Sequence, residues 1–262
     1  MIRTLVTIAA LLACSPGAGA ADLALAEKIA LLIAAYPDAL ERQAGNSLFF
    51  SDGGPPMPID DGRTKDHAAM LADGDIEDSL MQPYPAGVCE TSPARNVDPG
   101  RIRSEVLLKR LYGGSKAEVV ATLRTVDWFG QALQLTSKQG AATALEAVRD
   151  ALEKRPDLKP YLLPSAGTFN WRRVAGATNL SVHSFAAAID LNTAYADYWV
   201  WSGGKPGKVP RYVNRFPMAI VEIFERHGFI WGGRWYHYDT MHFEYRPELL
   251  AIAAATGSDA CD

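Results

Sequence analysis

Two stretches of the chain carry side chains that together could bind a metal ion. The first reads SVHSFAAAID and places His183 seven residues before Asp190. The second reads DTMHFE and places Asp239 three residues before His242. Catalytic zinc takes three protein ligands of this kind and leaves its fourth position to a water. We therefore expect His183, Asp190 and His242 to bind zinc, and Asp239 to accept the proton of that water.

Neither stretch is specific alone, because a single histidine is more often structural than a metal ligand. Their combination in one chain is a much stronger signal. His237 lies five residues before His242 and has three open interpretations: a hydrogen-bond donor to a substrate, a residue that assists the transition state, or an ordinary loop histidine. Glu244 shares a strand face with His242, since alternate side chains of a strand point the same way. We expect Glu244 to contact that ligand without binding the metal.

The elements that must position these residues read as short strands. The segment 187–192 is apolar on both sides of Asp190, which predicts a strand with a largely buried carboxylate. A buried charge needs a partner, and a cation would supply one. The segments 229–231 and 241–245 read as two more strands around a Gly-Gly loop, after a helix that begins at Pro217.

In the remainder of the chain, the sequence pattern predicts helices and hairpins that pack the core rather than residues with a catalytic role. Helical periodicity covers four segments, 22–36, 68–81, 101–112 and 141–154, and β-like runs with turns occupy 46–63 and 123–136. Asp22 is expected to cap the first helix. Asp60 and Asp61 read as solvated turn carboxylates, and His67 as polar surface.

Composition limits the classes of partner. The chain has 262 residues, 48% of them hydrophobic, so it can bury a core without needing a metal to fold. Its net charge is −4, and no cluster of basic residues stands out. This balance argues against nucleic acid as a partner. No segment after the N-terminus approaches the length of a membrane-spanning helix, and no feature indicates an oligomer.

The N-terminus reads as a signal for export. A basic start, an apolar centre and an A-x-A site at Ala18–Ala20 predict a signal peptide over residues 1–20. The alternative is a lipid anchor at Cys14, because LLAC resembles the site at which bacterial lipoproteins are cut and acylated. Either reading predicts a secreted or periplasmic protein. Cys89 and Cys261 are then expected to form a disulfide, with two free buried thiols as the alternative.

The strings SVHSFAAAID, WGGRW and DTMHFE resemble the zinc-dependent D-alanyl-D-alanine carboxypeptidases of the VanY type, in peptidase family M15. The resemblance covers the segment 160–250 well. It implies an α+β fold of the Hedgehog/DD-peptidase type, with a small central antiparallel sheet that carries the zinc and is flanked by helices. We expect a catalytic region over 159–262 and a packed N-terminal helical and hairpin region over 21–158.

The resemblance also implies roles for single residues. It makes His183, Asp190 and His242 the zinc ligands and Asp239 the general base. Two further roles are implied. Arg172, or its neighbour Arg173, binds the substrate carboxylate or polarises its carbonyl, and Ser181 orients the first ligand. One position departs from the family pattern, because Ala186 stands where the family has glycine. A methyl group there could crowd the backbone and affect the fit of the substrate.

The function that follows is hydrolysis of peptidoglycan stem peptides, with removal of the terminal D-alanine as the expected reaction. An L-Ala-D-Glu endopeptidase of the same fold is one alternative. A non-catalytic module that binds zinc or the cell wall is the other.

Overall fold

The computed structural model describes residues 22–174 and 178–261. The expected signal peptide and Cys14 lie outside these residues. The described chain combines helices with small antiparallel sheets, which confirms the α+β class. Within the described ranges, no helix is both long enough and apolar enough to cross a membrane.

The helices are α1 Leu25–Ala35, α2 His67–Asp73, α3 Ile76–Met81, α4 Glu105–Tyr112, α5 Lys116–Val120, α6 Ala141–Leu152, α7 Lys159–Leu162, α8 Met218–Arg226 and α9 Pro247–Thr256. The strands are β1 Leu40–Ala44, β2 Ser47–Phe50, β3 Met57–Pro58, β4 Leu123–Trp128, β5 Gln131–Thr136, β6 Ala188–Asp190, β7 Phe229–Trp231 and β8 His242–Tyr245. They form three sheets in the orders β1-β2-β3, β4-β5 and β6-β8-β7.

The third sheet has β8 at its centre and separates two hydrophobic clusters. Ala188 and Ile230 pack into one cluster with α1, α4 and the β1-β2 hairpin. Ile189 and Phe243 pack into the other, which includes residues of α6, α8 and the β4-β5 hairpin. Phe243 is completely buried and stacks on Phe224 of α8, with ring centroids 4.0 Å apart. Packing on both sides therefore holds this sheet rigidly.

Three helices begin or end elsewhere than the sequence predicted. Ala24 rather than Asp22 precedes the first turn of α1. The predicted helix 68–81 is broken into α2 and α3, because Asp75 caps a new helix after Gly74. The helix predicted over 101–112 begins only at Glu105, because the Ser104 hydroxyl accepts a hydrogen bond from the Leu107 amide at 3.3 Å. The residues before Ser104 are therefore irregular.

A disulfide joins Cys89 to Cys261, with Cα atoms 5.0 Å apart, which confirms the predicted pair. The bond connects the loop before α4 to the C-terminal segment. The buried guanidinium of Arg234 donates to the carbonyl oxygens of Gly87 and Cys89, each at 2.6 Å. The same loop is thus tied to the turn that follows β7.

In the acidic turn after β3, Asp61 is exposed, as expected of a solvated turn carboxylate, but it also pairs with a buried lysine. Asp61 forms an ion pair with the Lys65 ammonium at 2.8 Å, and Asp75 and Asp78 contact the same ammonium at 3.0 and 2.5 Å. The Lys65 side chain is only 4% exposed. The Lys65 ammonium already occupies the position between these carboxylates that a metal ion would take. Asp60 keeps the expected turn role and accepts a hydrogen bond from the Gly62 amide.

Candidate metal centre

Strand register and one tight turn bring the expected ligands together. Asp190 of β6 lies directly opposite His242 of β8, so their side chains share one face of the sheet. His183 comes from a 3₁₀ turn, Val182–Phe185, that leads into β6. The turn is fixed by the Ser184 amide, which donates to the Ser181 carbonyl oxygen at 2.9 Å.

The donor atoms of these residues are close enough to share one ion. Nε2 of His183 lies 3.1 Å from Nδ1 of His242 and 3.1 Å from Oδ2 of Asp190. Nδ1 of His242 lies 2.9 Å from Oδ1 of Asp190. Ligands bound at about 2.0–2.2 Å in a tetrahedron lie only slightly farther apart than this, so a small movement of these side chains would admit one ion.

Each histidine ring has an inner nitrogen, which faces the other two ligands, and an outer nitrogen, which points away from them. The partner of the outer nitrogen shows whether the inner nitrogen carries a lone pair. Nδ1 of His183 lies 2.6 Å from the carbonyl oxygen of Thr168, which can only accept, so this nitrogen donates. Nε2 of His242 lies 3.2 Å from the Glu244 carboxylate and likewise donates. In the neutral rings, both inner nitrogens therefore face each other and Asp190 with lone pairs. This arrangement suits a bound cation, because lone pairs this close together repel one another unless a cation lies between them.

The charges around the cluster support the same conclusion. Burial opposes a charged imidazole, but hydrogen bonds to Asp190 and Glu244 outweigh it and raise the pKa of His242 to about 10. Burial also opposes ionised Asp190, yet His183 and His242 hold its pKa well below the usual range. Burial alone would raise the pKa of Glu244, but Arg103 and His242 bring it to about 2. The cluster attracts positive charge, whether a proton or a metal ion.

Asp239 lies in the same cleft with a free carboxylate oxygen. Its Oδ1 is buried and has no hydrogen-bond partner in the described part of the chain. Burial, followed by the negative charge of Asp190, raises the pKa of Asp239 to about 6. Its backbone is fixed by its own amide, which donates to the Gly232 carbonyl oxygen at 3.0 Å. A buried carboxylate with an open lone pair and a raised pKa is suited to accept a proton.

The ligands line a cavity of about 220 Å³ with Asp239, Arg172 and Ser181. Arg172 is exposed, and among the described residues its guanidinium contacts no carboxylate. Ser181 is 5% exposed and precedes the turn that carries His183. The structure thus brings both residues to the expected cleft. His237 does not line this cavity.

Sequence reasoning missed two arginines of the cleft, Arg101 and Arg103, which line the same cavity. Helical periodicity had assigned them to a packing helix. The Arg103 guanidinium contacts the Glu244 carboxylate at 3.1 Å, so it acts on the ligand His242 through that carboxylate. The sequence does contain a signal that the helix starts later: Pro99 and Gly100 mark a turn, and Ser104 is a good N-cap.

Ala186, the departure from the family pattern, has φ 52° and ψ 33°, in the left-handed region. Glycine adopts this conformation freely, whereas an L-residue with a side chain pays about 1–2 kcal/mol. Ala186 is completely buried, and its amide donates to the His183 carbonyl oxygen at 3.1 Å. The chain therefore keeps the tight turn in spite of the methyl group.

His237 belongs to a second cluster, with Asp98 and His67. Nδ1 of His237 and Nε2 of His67 each lie 2.9 Å from Oδ2 of Asp98. The two rings are nearly parallel, with centroids 6.1 Å apart. The expectation that His67 is polar surface is wrong, because its side chain is only 14% exposed and packs into this cluster.

Comparison with known proteins gives one match. Residues 175–245 match the family model described as D-alanyl-D-alanine carboxypeptidase. No curated protein matches the chain, and no solved structure does. The matched segment contains His183, Asp190, Asp239 and His242. This match confirms the resemblance to peptidase family M15 that was inferred from the sequence, over the segment that carries the candidate metal centre.

Proposed function

We propose that this protein is an exported zinc peptidase that removes the terminal D-alanine from peptidoglycan stem peptides. One observation carries the proposal: the donor atoms of His183, Asp190 and His242 converge within 3.1 Å, in a cavity that also holds the unpartnered carboxylate oxygen of Asp239. Three ligands and a free proton acceptor are what hydrolysis at a metal requires. The family match supports the peptide as substrate.

The ligands would hold zinc through Nε2 of His183, Nδ1 of His242 and the carboxylate of Asp190. Nitrogen and carboxylate oxygen donors, with no described cysteine nearby, suit zinc. When bound, zinc would lower the pKa of a water and place positive charge beside the carbonyl oxygen of the peptide. The hydrogen bonds of His183 to Thr168 and of His242 to Glu244 keep both rings oriented for this.

Asp239 would act as general base and then as general acid. Its unpartnered Oδ1 accepts a proton as water attacks the peptide carbonyl, and the carboxyl group returns that proton to the leaving amine. Because a carboxyl with a pKa near neutrality both accepts and releases protons readily, the raised pKa of Asp239 serves both steps.

Arg172 and Ser181 would act on the substrate side of the cleft. The exposed guanidinium of Arg172 suits the C-terminal carboxylate of the substrate, which it can bind through two parallel hydrogen bonds. Ser181 would orient His183 through the turn that it begins. We further propose the Hedgehog/DD-peptidase type of fold, and a secreted or periplasmic location. The Cys89–Cys261 disulfide supports an oxidising compartment.

Mass spectrometry of purified muropeptides tests this function directly. The zinc-loaded protein should remove one alanine from pentapeptide stems. Asp239→Asn, which keeps the size of the side chain, should slow this by about 10²–10⁴-fold. The matched control is Asp157→Asn, a surface aspartate paired with Arg155 at 2.7 Å, which should leave the rate unchanged.

Other products would change the assignment. Release of a fragment longer than one residue would indicate an endopeptidase. Full activity of Asp239→Asn at normal zinc content would remove Asp239 from the mechanism. No mass change with any wall peptide, in a protein that binds zinc, would favour the binding module.

A further inference from the structure

A segment of the N-terminal half, Asp98–Arg103, is fixed against the loop that precedes β8. The Trp235 indole donates to the Pro99 carbonyl oxygen at 2.5 Å. The backbone amide of His237 donates to Oδ1 of Asp98 at 2.9 Å, and Nδ1 of the same residue contacts Oδ2 at 2.9 Å. These bonds hold the segment at a constant position relative to Asp239 and His242, which follow in the same loop and strand.

The two arginines of this segment differ in their partners. Arg103 is buried and its guanidinium is neutralised by Glu244. Arg101 is half-buried, and in the described ranges its guanidinium has neither an ion pair nor a hydrogen-bond acceptor. Its nearest described aromatic partner is Trp235, whose ring centroid lies 5.7 Å from the guanidinium carbon. An oriented guanidinium without an anion, in a cleft, is a ready receptor for a carboxylate.

Arg101 also stands where two cavities meet. A second cavity of about 310 Å³ shares Arg101, Arg103 and Val174 with the cavity of the metal cluster. Its other walls include the apolar side chains of Leu71 and Trp199. The groove therefore continues past Arg101, away from the metal ligands. A peptide longer than its two terminal residues would have room to extend along this groove.

We propose that Arg101 binds a second carboxylate of the substrate, separate from the C-terminal one, and that the second cavity receives the adjoining part of the peptide. The inference rests on the proposed function, because it takes the metal cluster as the place of cleavage. Arg101 and Arg172 are both unpaired with carboxylates among the described residues and line one cavity. Two such charges favour a substrate with two anionic groups. In stem peptides the α-carboxylate of the γ-linked D-glutamate has this character.

Two peptides that differ in one group test this proposal. The first is N-acetyl-L-Ala-γ-D-Glu-L-Lys-D-Ala-D-Ala, and the second carries an amide in place of the D-Glu α-carboxylate. The zinc-loaded protein should prefer the acid by about tenfold or more in kcat/KM, mostly through KM, because a charged hydrogen-bonded pair is lost with the amide. Arg101→Gln should abolish this preference, because the partner of the distinguishing carboxylate is removed while the amide peptide has no such carboxylate to lose.

Two further variants separate charge from geometry and from general damage. Arg101→Lys keeps the charge but loses the two-pronged geometry, so it should retain part of the preference. Arg155→Gln removes an arginine that pairs with Asp157 on the surface and lines neither cavity. It should keep the full preference. Zinc content, measured in each variant, should not change.

Several results would overturn the proposal: no preference in the unchanged protein, the same preference in Arg101→Gln, or an equal loss of activity on both peptides in that variant. If the unchanged protein cleaves neither peptide, the proposed function fails, and calorimetric binding of the two peptides decides the role of Arg101. Selective binding of the acid that disappears in Arg101→Gln would then support that role, and equal binding of both peptides would exclude it.

Discussion

Two clusters of identical composition lie in this molecule, and only one of them is suited to a metal. His183, Asp190 and His242 form the first, and His67, Asp98 and His237 form the second. In each cluster, one donor atom from every residue lies within 4.8 Å of the others. The distances between donor atoms therefore do not show which of the two clusters is suited to a metal.

The difference lies in the outer nitrogens of the rings. In the first cluster both outer nitrogens face acceptors, Thr168 and Glu244, so lone pairs point inward. In the second, Nε2 of His237 receives a hydrogen bond from the Gly207 amide at 3.4 Å. Its Nδ1 then carries the hydrogen and donates it to Asp98.

Protons therefore satisfy the second cluster. Burial opposes ionised Asp98, but hydrogen bonds from His237 and His67 hold its pKa well below the usual range. Asp98 also accepts from the backbone amide of His237. One carboxylate with three donors is a structural network that fixes the segment before Arg101, and the two ring nitrogens that face Asp98 donate to it and so offer no lone pair to an ion. The partner of the far nitrogen thus decides whether a histidine faces a metal or a proton acceptor.

The largest expected effect concerns the number of bound ions. After zinc loading and dialysis, elemental analysis should find one zinc ion per chain. His183→Ala should retain none, because two remaining ligands bind zinc weakly. The matched variant His67→Ala should still retain one. Two ions per chain, reduced to one by His67→Ala, would contradict the comparison and make the second cluster a metal site.

A smaller effect is expected on stability. Asp98→Asn replaces a buried, completely enclosed carboxylate that accepts hydrogen bonds from two imidazoles. It should lower the free energy of unfolding by about 3 kcal/mol while zinc is still bound, because hydrogen bonds to a buried charge are lost. Urea unfolding at pH 7, with zinc content measured alongside, checks this. A loss of zinc without a loss of stability would contradict the structural role.

The loss of unfolding free energy in Asp98→Asn should depend on pH in one direction. The folded pKa of Asp98 is depressed, so its contribution is present above the unfolded pKa of about 3.9 and is lost as the pH falls below that value. The difference between the unchanged protein and Asp98→Asn should therefore shrink in acid. A difference that grows below pH 4 would mean that another group dominates.

The smallest expected effect is on metal affinity. Glu244→Gln keeps the shape of the side chain but removes the negative charge beside Nε2 of His242. Zinc affinity should fall by about 10–100-fold, because the orientation and basicity of the ligand depend on this partner. Competition with a chelator measures the change, and Glu222→Gln on the exposed face of α8 is the control. Unchanged affinity would mean that Glu244 does not orient His242.

Local sequence patterns were enough for most helices and strands and for the candidate ligands. Periodicity gave α6, the β4-β5 hairpin and the two strands that flank the Gly-Gly loop, since these depend on neighbouring residues. Residue type and spacing also indicated His183, Asp190 and His242 as ligands before any distance was known. The start of α4 was misplaced, because a cap at Ser104 outweighed the helical pattern of the preceding residues.

By itself, the sequence determined the chemical groups available to this protein: the candidate ligands, the proton acceptor Asp239, and the cysteines able to form a disulfide. Tertiary structure alone decided which groups meet. The pairing of Asp190 with His242 depends on strand register, and the approach of Arg101 to the cleft depends on contacts between distant segments. The tautomers of His183 and His237 depend on Thr168 and Gly207, which no local pattern places beside them. Hydrogen-bond partners far apart in the chain thus separate a metal centre from a structural network of the same composition.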